Sequence, residues 1–190
     1  LMRERILEAA VDWLVERGYA GFSVLALAEW AGVSRGALQH HFPTKGALVS
    51  AVIDHVVDRR IARFLSDFRA SATIADDQPK QATQMYWDSV QTRYYAAYLE
   101  LLVASRTDPE LRECFIPGAL RYDRVWKQEV AGAFPQWGNE DKLQVASDFV
   151  AATHLGLLLM STMSGQRREN VLALVEQIVI DLYRKRDWVA

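Results

Sequence analysis

Apolar residues recur at helical spacing from one end of this chain to the other, and nowhere do they alternate as a half-buried strand requires. Ile6, Leu7, Ala10, Val11, Leu14 and Val15 form one stripe of a first helix, and Gly18 is placed to end it. Ser23 can cap a second helix from Val24 to about Ala31, stopped by Gly32, and Ser34 can cap a third that reaches about His41 before Pro43. Thr44 opens a long fourth helix whose apolar residues, from Leu48, Val52, Ile53, Val56 and Ile61 to Phe64, Leu65 and Phe68, carry it to about Phe68. The polar stretch "SATIADDQPK" is then the best boundary between an N-terminal module and the remainder. Beyond it Trp87, Val90, Tyr94, Tyr98 and Leu101 share one face. A short "DPELREC" helix follows, capped by Asp108 with Pro109 at its first position, and a separate helix is predicted around Tyr122 to Ala133. After the loop "FPQWGNED" come two long apolar runs, Val145 to Met163 and Val171 to Tyr183. The predicted class is all-α.

A run that is apolar on nearly all sides must be covered on all sides, and two of them at the end of a small domain exceed what one core can cover. We therefore expect a homodimer in which the last two long helices of each subunit pack as a four-helix bundle, in preference to a purely intramolecular core. With 190 residues the chain can bury about 70% of its unfolded surface, enough for a substantial core. Its 51% hydrophobic content and its 22 basic against 24 acidic residues exclude a disordered chain and a uniformly polycationic nucleic-acid binder. Any contact with DNA must come from local charge.

The single cysteine, Cys114, rules out an intrachain disulfide and reads as a small buried hydrophobe rather than a redox sensor. The N-terminal "LMRERILEAAVDWL" has no uninterrupted apolar core of a signal peptide, and Val150 to Met160 is shorter than the ~20 residues a bilayer span needs. We expect a soluble cytoplasmic protein with no membrane contact. Leu1 precedes Met2, which leaves room for an N-terminal arm outside this sequence.

The local charge lies in "AGVSRGALQHHFPTK", Ala31 to Lys45. There is no acidic residue between Glu29 and Asp54, and the stretch holds Arg35, His40, His41 and Lys45. Two short helices joined by the tight turn "AGVS" fit a helix-turn-helix, whose second helix enters the major groove. Arg35 can offer two donors to guanine and Gln39 can pair an adenine edge, while Gly36 and Ala37 let the helix sit close to the bases. Ser34 opens that helix. Thr44, Lys45 and the amides at the start of the fourth helix suit phosphate oxygens, as do His40 and His41, although His41 also reads as packing beside Phe42. Adjacent histidines point about 100° apart and do not chelate one metal together, so no metal site is expected there.

From Gly18 through "GFSVLALAEWAGVSRGALQHHFPTKGAL" the chain resembles the TetR family of transcriptional regulators. The matching features are the capped second helix, "AGVS", the glycine and leucine of the third helix, and "HF" followed by a lysine opening the fourth. Gln39 stands where the family commonly has tyrosine, Leu25 where it often has a polar or basic residue, and Trp30 is large for its place. The resemblance implies a DNA-binding helix-turn-helix domain over 1–47, with a larger helical ligand-binding and dimerisation domain over 48–190. It implies a ligand-responsive regulator, most often a repressor released from an inverted-repeat DNA operator by a small molecule, with no cofactor. Aromatic residues with a polar handle suit a hydrophobic or aromatic effector. The candidates are Phe64, Trp87, Tyr94, Tyr98, Phe115, Tyr122, Trp126, Phe149, Thr153 and His154, each of which also reads as ordinary core. His154 reads first as a hydrogen-bonded core histidine and second as a polar anchor. Asp54 and Asp58, beside Arg59 and Arg60, read as a solvated face, and "RKR" at 184–186 as cations ending the last helix.

The sequence lacks a glycine-rich phosphate loop, a metal-spaced His/Cys cluster and a nucleophile with an evident base, which argues against an enzyme. The alternative is an all-helical adaptor whose helix-turn-helix meets protein. The effector, the operator and the sign of regulation are not legible.

Overall fold

A computed structural model describes residues 1–70, 78–133 and 140–185. Most of the "SATIADDQPK" boundary, most of the "FPQWGNED" loop and Arg186 lie outside the described residues. Within them the chain forms nine helices and no strand: α1 (Met2–Arg17), α2 (Val24–Ala31), α3 (Arg35–His41), α4 (Lys45–Ala70), α5 (Gln78–Val90), α6 (Arg93–Ala104), α7 (Pro109–Ala133), α8 (Glu140–Leu159) and α9 (Gly165–Arg184). No helix among them is long and apolar enough to cross a membrane.

Helices α2, α3 and α4 begin where side-chain caps dictate. The Ser23 hydroxyl accepts from the Ala26 amide at 3.2 Å, Ser34 from Ala37 at 3.1 Å and Thr44 from Ala47 at 3.0 Å, each satisfying a donor that the first helical turn leaves free. Gly32 ends α2 in the left-handed region, φ 61°, where a Cβ would be strained.

Three stretches differ from expectation. The face read through Trp87 to Leu101 is split, because the helix stops at Val90 and Thr92 caps a new one by accepting from the Tyr95 amide at 3.4 Å. Conversely, the "DPELREC" helix does not end. Asp108 caps it as expected, accepting from Leu111 at 2.9 Å, but α7 runs on through Pro117 to Ala133. Proline costs an interior helical hydrogen bond. Here that local cost is outweighed by packing: a Cβ on Gly118 would lie 2.3 Å from Ile53 Cγ2, so the backbone of α7 meets α4 closely just after the proline. The run beginning at Val145 also stops sooner than Met163, since Met160 and Met163 close turns after Leu159.

The chain divides into two compact units, Leu1–Ala62 with Thr92–Arg124, and Arg63–Gln91 with Val125–Ala190. Both α4 and α7 supply residues to each. In the first unit α1 packs on α6 and α2, and α2 on α3. Ile6, Leu7, Leu14, Leu27, Leu38, Leu48, Ile53, Leu101 and Leu111 are the largest of its fully buried side chains. In the second, α5 packs on α9 and α8.

Candidate nucleic-acid interface and effector cavity

Around the turn, burial separates scaffold from surface. Leu27, Ala28, Leu38 and Phe42 are buried, while Ser34, Arg35, Gly36, Gln39, His40, Thr44 and Lys45 are exposed, and Ala37 and His41 are half-buried. The side chains of Arg35 and Gln39 meet no partner among the described residues, so α3 presents a donor fork and an amide one turn apart. His41 lies 6.4 Å from the Phe42 ring, which bears out its packing role, and 5.3 Å edge-on from His40.

Four contacts that hold this surface were missed in the sequence. Arg5 of α1 donates to the carbonyls of Ala31 at 2.8 Å and Gly32 at 3.0 Å, closing the end of α2. Glu100 of α6 accepts from the Tyr19 amide at 2.7 Å, fixing the loop between α1 and α2. Lys45 is an exposed residue whose ammonium lies 5.0 Å from the Tyr19 ring centre. The large Trp30 packs edge-on against Trp13 at 5.8 Å, with the Arg17 guanidinium 5.0 Å from the Trp30 ring. These partners lie far apart along the chain, and no local spacing announces them.

Behind the turn a charge network ties α1 to α4 and α6. Arg93 pairs with Glu8 and Asp12, and Arg59 with Glu4; Tyr94 donates to the Glu8 carboxylate at 3.0 Å, and the buried His55 meets it at 2.8 Å. Burial raises the Glu8 pKa, but the hydrogen bonds from His55 and Tyr94 and the charge of Arg93 outweigh it and hold the carboxyl below its ordinary range. Glu4, Glu8 and His55 bring ligand atoms within 4.8 Å of one another, but the carboxylates already serve Arg59 and Arg93. Asp54 and Asp58 are solvated as expected, yet both also bind Arg121 of α7, at 3.0 and 2.7 Å.

The ten candidate effector residues fall into two groups. Tyr94, Tyr98, Phe115 and Tyr122 belong to the first unit. There Tyr94 serves the charge network. The Arg60 guanidinium lies 4.3 Å from the ring centre of Tyr98 and 4.4 Å from that of Tyr122, and Phe115 packs on Tyr98 at 5.3 Å. Burial pushes the Tyr98 hydroxyl up. Phe64, Trp87, Trp126, Phe149, Thr153 and His154 belong to the second unit, which contains a cavity of about 60 Å³. Phe64 and Trp126 form part of its wall together with Thr83, Tyr86 and Val150. Of these, Tyr86 passes contact on to His154 at 5.8 Å, and Trp87 meets the same imidazole edge-on at 5.4 Å. The Thr153 hydroxyl is engaged with the Phe149 carbonyl at 2.8 Å.

His154 corrects its first reading. It is fully buried, but neither ring nitrogen has a hydrogen-bond partner among the described residues. Desolvation lowers its pKa to about 4, so the ring is neutral. Cys114 also departs from expectation, being half-buried, with its sulfur 3.9 Å from the Gly46 carbonyl.

Residues 6–52 match the family model described as bacterial regulatory proteins, tetR family. An uncharacterized HTH-type transcriptional regulator of Mycobacterium tuberculosis is 36% identical over 111 residues, 57% of this chain and 55% of that protein. The HTH-type transcriptional regulator CymR of Pseudomonas putida is 34% identical over 113 residues, 57% of this chain and 53% of CymR. The chain thus aligns with about half the length of these curated relatives. The multidrug binding protein EbrR, solved in complex with imidazole, shares the fold at TM-score 0.71 and 20% identity, with 96% of this chain and 94% of EbrR covered. The family match falls on the capped helices and the Gly32 turn described above, and the fold match extends through the helices that follow. Residues 6–52 are thus similar to the tetR family of bacterial regulatory proteins, and the chain shares its fold with EbrR.

Proposed function

We propose that the chain is a DNA-binding transcriptional regulator in which residues 1–47 read the operator and residues 48–190 bind an effector and dimerise. The observation that carries this is the acid-free, exposed face of α3, on which the side chains of Arg35 and Gln39 have no partner among the described residues. An unpartnered arginine and amide are suited to guanine and adenine edges. Ser34, Thr44, His40, His41, Lys45 and the amides opening α4 suit phosphates, which set the register.

Dimerisation through α8 and α9 is supported by apolar surface left uncovered on them: Leu159 is 60% exposed and Leu174 58%. Effector binding is supported by the aromatic cavity of the second unit and by the unsatisfied imidazole close to it. A buried donor and acceptor without partners cost about 1–3 kcal/mol each, a cost that a ligand hydroxyl or carbonyl reaching His154 would remove. The neutral ring and uncharged cavity wall favour a hydrophobic or aromatic molecule with one hydrogen-bonding group over a cation. Residues of α4 belong to both units, so a ligand that favours one position of this helix shifts the recognition surface with it. A coupling of ~1–3 kcal/mol would release the operator, as a repressor requires.

Selection of bound duplexes from a random pool at several salt concentrations tests the proposal. We expect an inverted repeat with half-sites at least about one helical turn apart, bound more weakly as salt rises. A chain that enriches no duplex at any salt is the protein-binding adaptor instead.

A further inference from the structure

The first unit contains a second, larger opening. A groove of about 520 Å³ lies at the corner where α6 gives way to α7, floored by Leu102 and Phe115, walled by Ile116 and Leu120, and flanked by Arg106 and Arg112. Its volume falls in the range of small-molecule sites. The arrangement is polarised: Arg106 follows the end of α6 and Arg112 sits in the first turn of α7, while Ile116 and Leu120 continue from Arg112 one and two turns further along α7. One end of the groove is therefore cationic and the other apolar.

Two observations mark it as an unfilled site. Ile116 is 42% exposed and Leu120 59%, with Val103 of α6 also exposed, so adjacent apolar side chains remain in water. The arginines are the second. In the same unit Arg59, Arg93 and Arg121 each meet a carboxylate, whereas the side chains of Arg106 and Arg112 meet none among the described residues. Glu110 and Glu113 share the first turns of α7 but do not line the groove, and Asp108 is engaged in capping the helix. The Ser105 hydroxyl is bound to the Leu102 carbonyl at 2.8 Å, which leaves the guanidiniums as the polar recognition groups. Phe115 is held against Tyr98, so the floor is preformed.

We propose that this groove binds an amphipathic carboxylate, its acid group held by Arg106 and Arg112 and its hydrocarbon or aromatic body laid along Phe115, Ile116 and Leu120. Planar guanidinium forks match a carboxylate bidentately, and the matching apolar wall selects an acid with a sizeable body over a small polar one. The site is independent of the cavity in the second unit and gives the unit that carries the helix-turn-helix an anionic ligand of its own.

Calorimetric titration of the full chain with octanoate tests this, with 1-octanol and octyl phosphate as comparisons. We expect saturable octanoate binding and at least about tenfold weaker binding of octanol. The double variant Arg106→Gln/Arg112→Gln should lower octanoate affinity by at least about tenfold. Leu120→Asp should do the same, whereas Trp126→Phe in the other cavity should leave it within about twofold. Both arginines are exposed, so an unchanged melting temperature will separate lost binding from lost folding. The proposal is overturned by absent octanoate binding, by equal binding of octanol, by tighter binding of octyl phosphate, or by a double variant that binds as the parent does. It is equally overturned if Leu120→Asp halves the solution mass of a parent that does not bind octanoate, since a second copy would then occupy the groove.

Discussion

The two units hold themselves together differently. In the first, arginines reach specific partners across helices: Arg5 on the end of α2, Arg59 and Arg93 on the carboxylates of α1, Arg121 on those of α4. Such contacts are directional, so they set the angle of the helix-turn-helix as well as its stability. The second unit has fewer such links, Arg69 with Glu129 and Lys80 with Glu176, and it surrounds a small cavity with largely aromatic and aliphatic walls and buries an imidazole whose nitrogens meet no partner among the described residues. Apolar contacts are indifferent to direction and tolerate repacking. The contrast suits the proposed roles, a DNA-reading surface that keeps its geometry and a chamber that adapts to an effector.

The largest effect expected from this contrast is a pH dependence located in the second unit. His154 has its folded pKa lowered from 6.5 to about 4, so the unfolded chain takes up the proton first. The stability from the neutral ring is complete above about pH 6.5 and is lost as pH falls through about 4, a loss on the order of 3 kcal/mol. Denaturant titrations of the parent and of His154→Phe across that window should show the dependence in the parent alone. If both lose stability equally, the histidine is not the strained element of this unit.

In the first unit, Gly118→Ala should cost about 1–3 kcal/mol, because the added methyl meets Ile53 where α7 crosses α4. Thermal melts combined with Ile53→Ala in a double-mutant cycle should recover part of that loss. Additive losses would show that the close approach is not specific to this pair. For DNA, Arg35→Ala should weaken specific binding by ~1–3 kcal/mol and relax one operator position, while Lys45→Ala should weaken all sequences alike. Equal loss on specific and random duplexes for Arg35→Ala would remove its base-reading role. The smallest effect is expected for Glu8→Gln, about 1 kcal/mol at neutral pH. Since the Glu8 pKa is depressed on folding, its contribution is present above its ordinary value of 4.5 and fades as pH falls through the folded value. The gap between variant and parent should therefore close on acidification.

What could be read in advance follows the range of the interactions. Ser23, Gly32, Ser34, Thr44 and Asp108 act within one turn of themselves, and each ends or begins a helix where its chemistry indicates. Pro117 and Gln91 show the limit. Local rules stop a helix at the first and continue it through the second, but the close packing of Gly118 on Ile53 carries α7 across the proline, and the Thr92 cap opens a new helix just past Gln91. The candidate effector residues show it again. Aromatic spacing identifies Tyr98 and Trp126 alike, yet one packs around Arg60 and the other lines the cavity.

By itself, then, the sequence determined the helical class, the caps of the helix-turn-helix and the acid-free recognition face, because each depends on residues within a few positions of one another. Only the tertiary structure decided which aromatic residues share a chamber, that Arg5 and Glu100 brace the helix-turn-helix, and that His154 lies buried with neither nitrogen partnered among the described residues. Those outcomes rest on contacts between residues 26 to 81 positions apart or on the packing of several helices at once, and helical periodicity carries no record of which faces will meet.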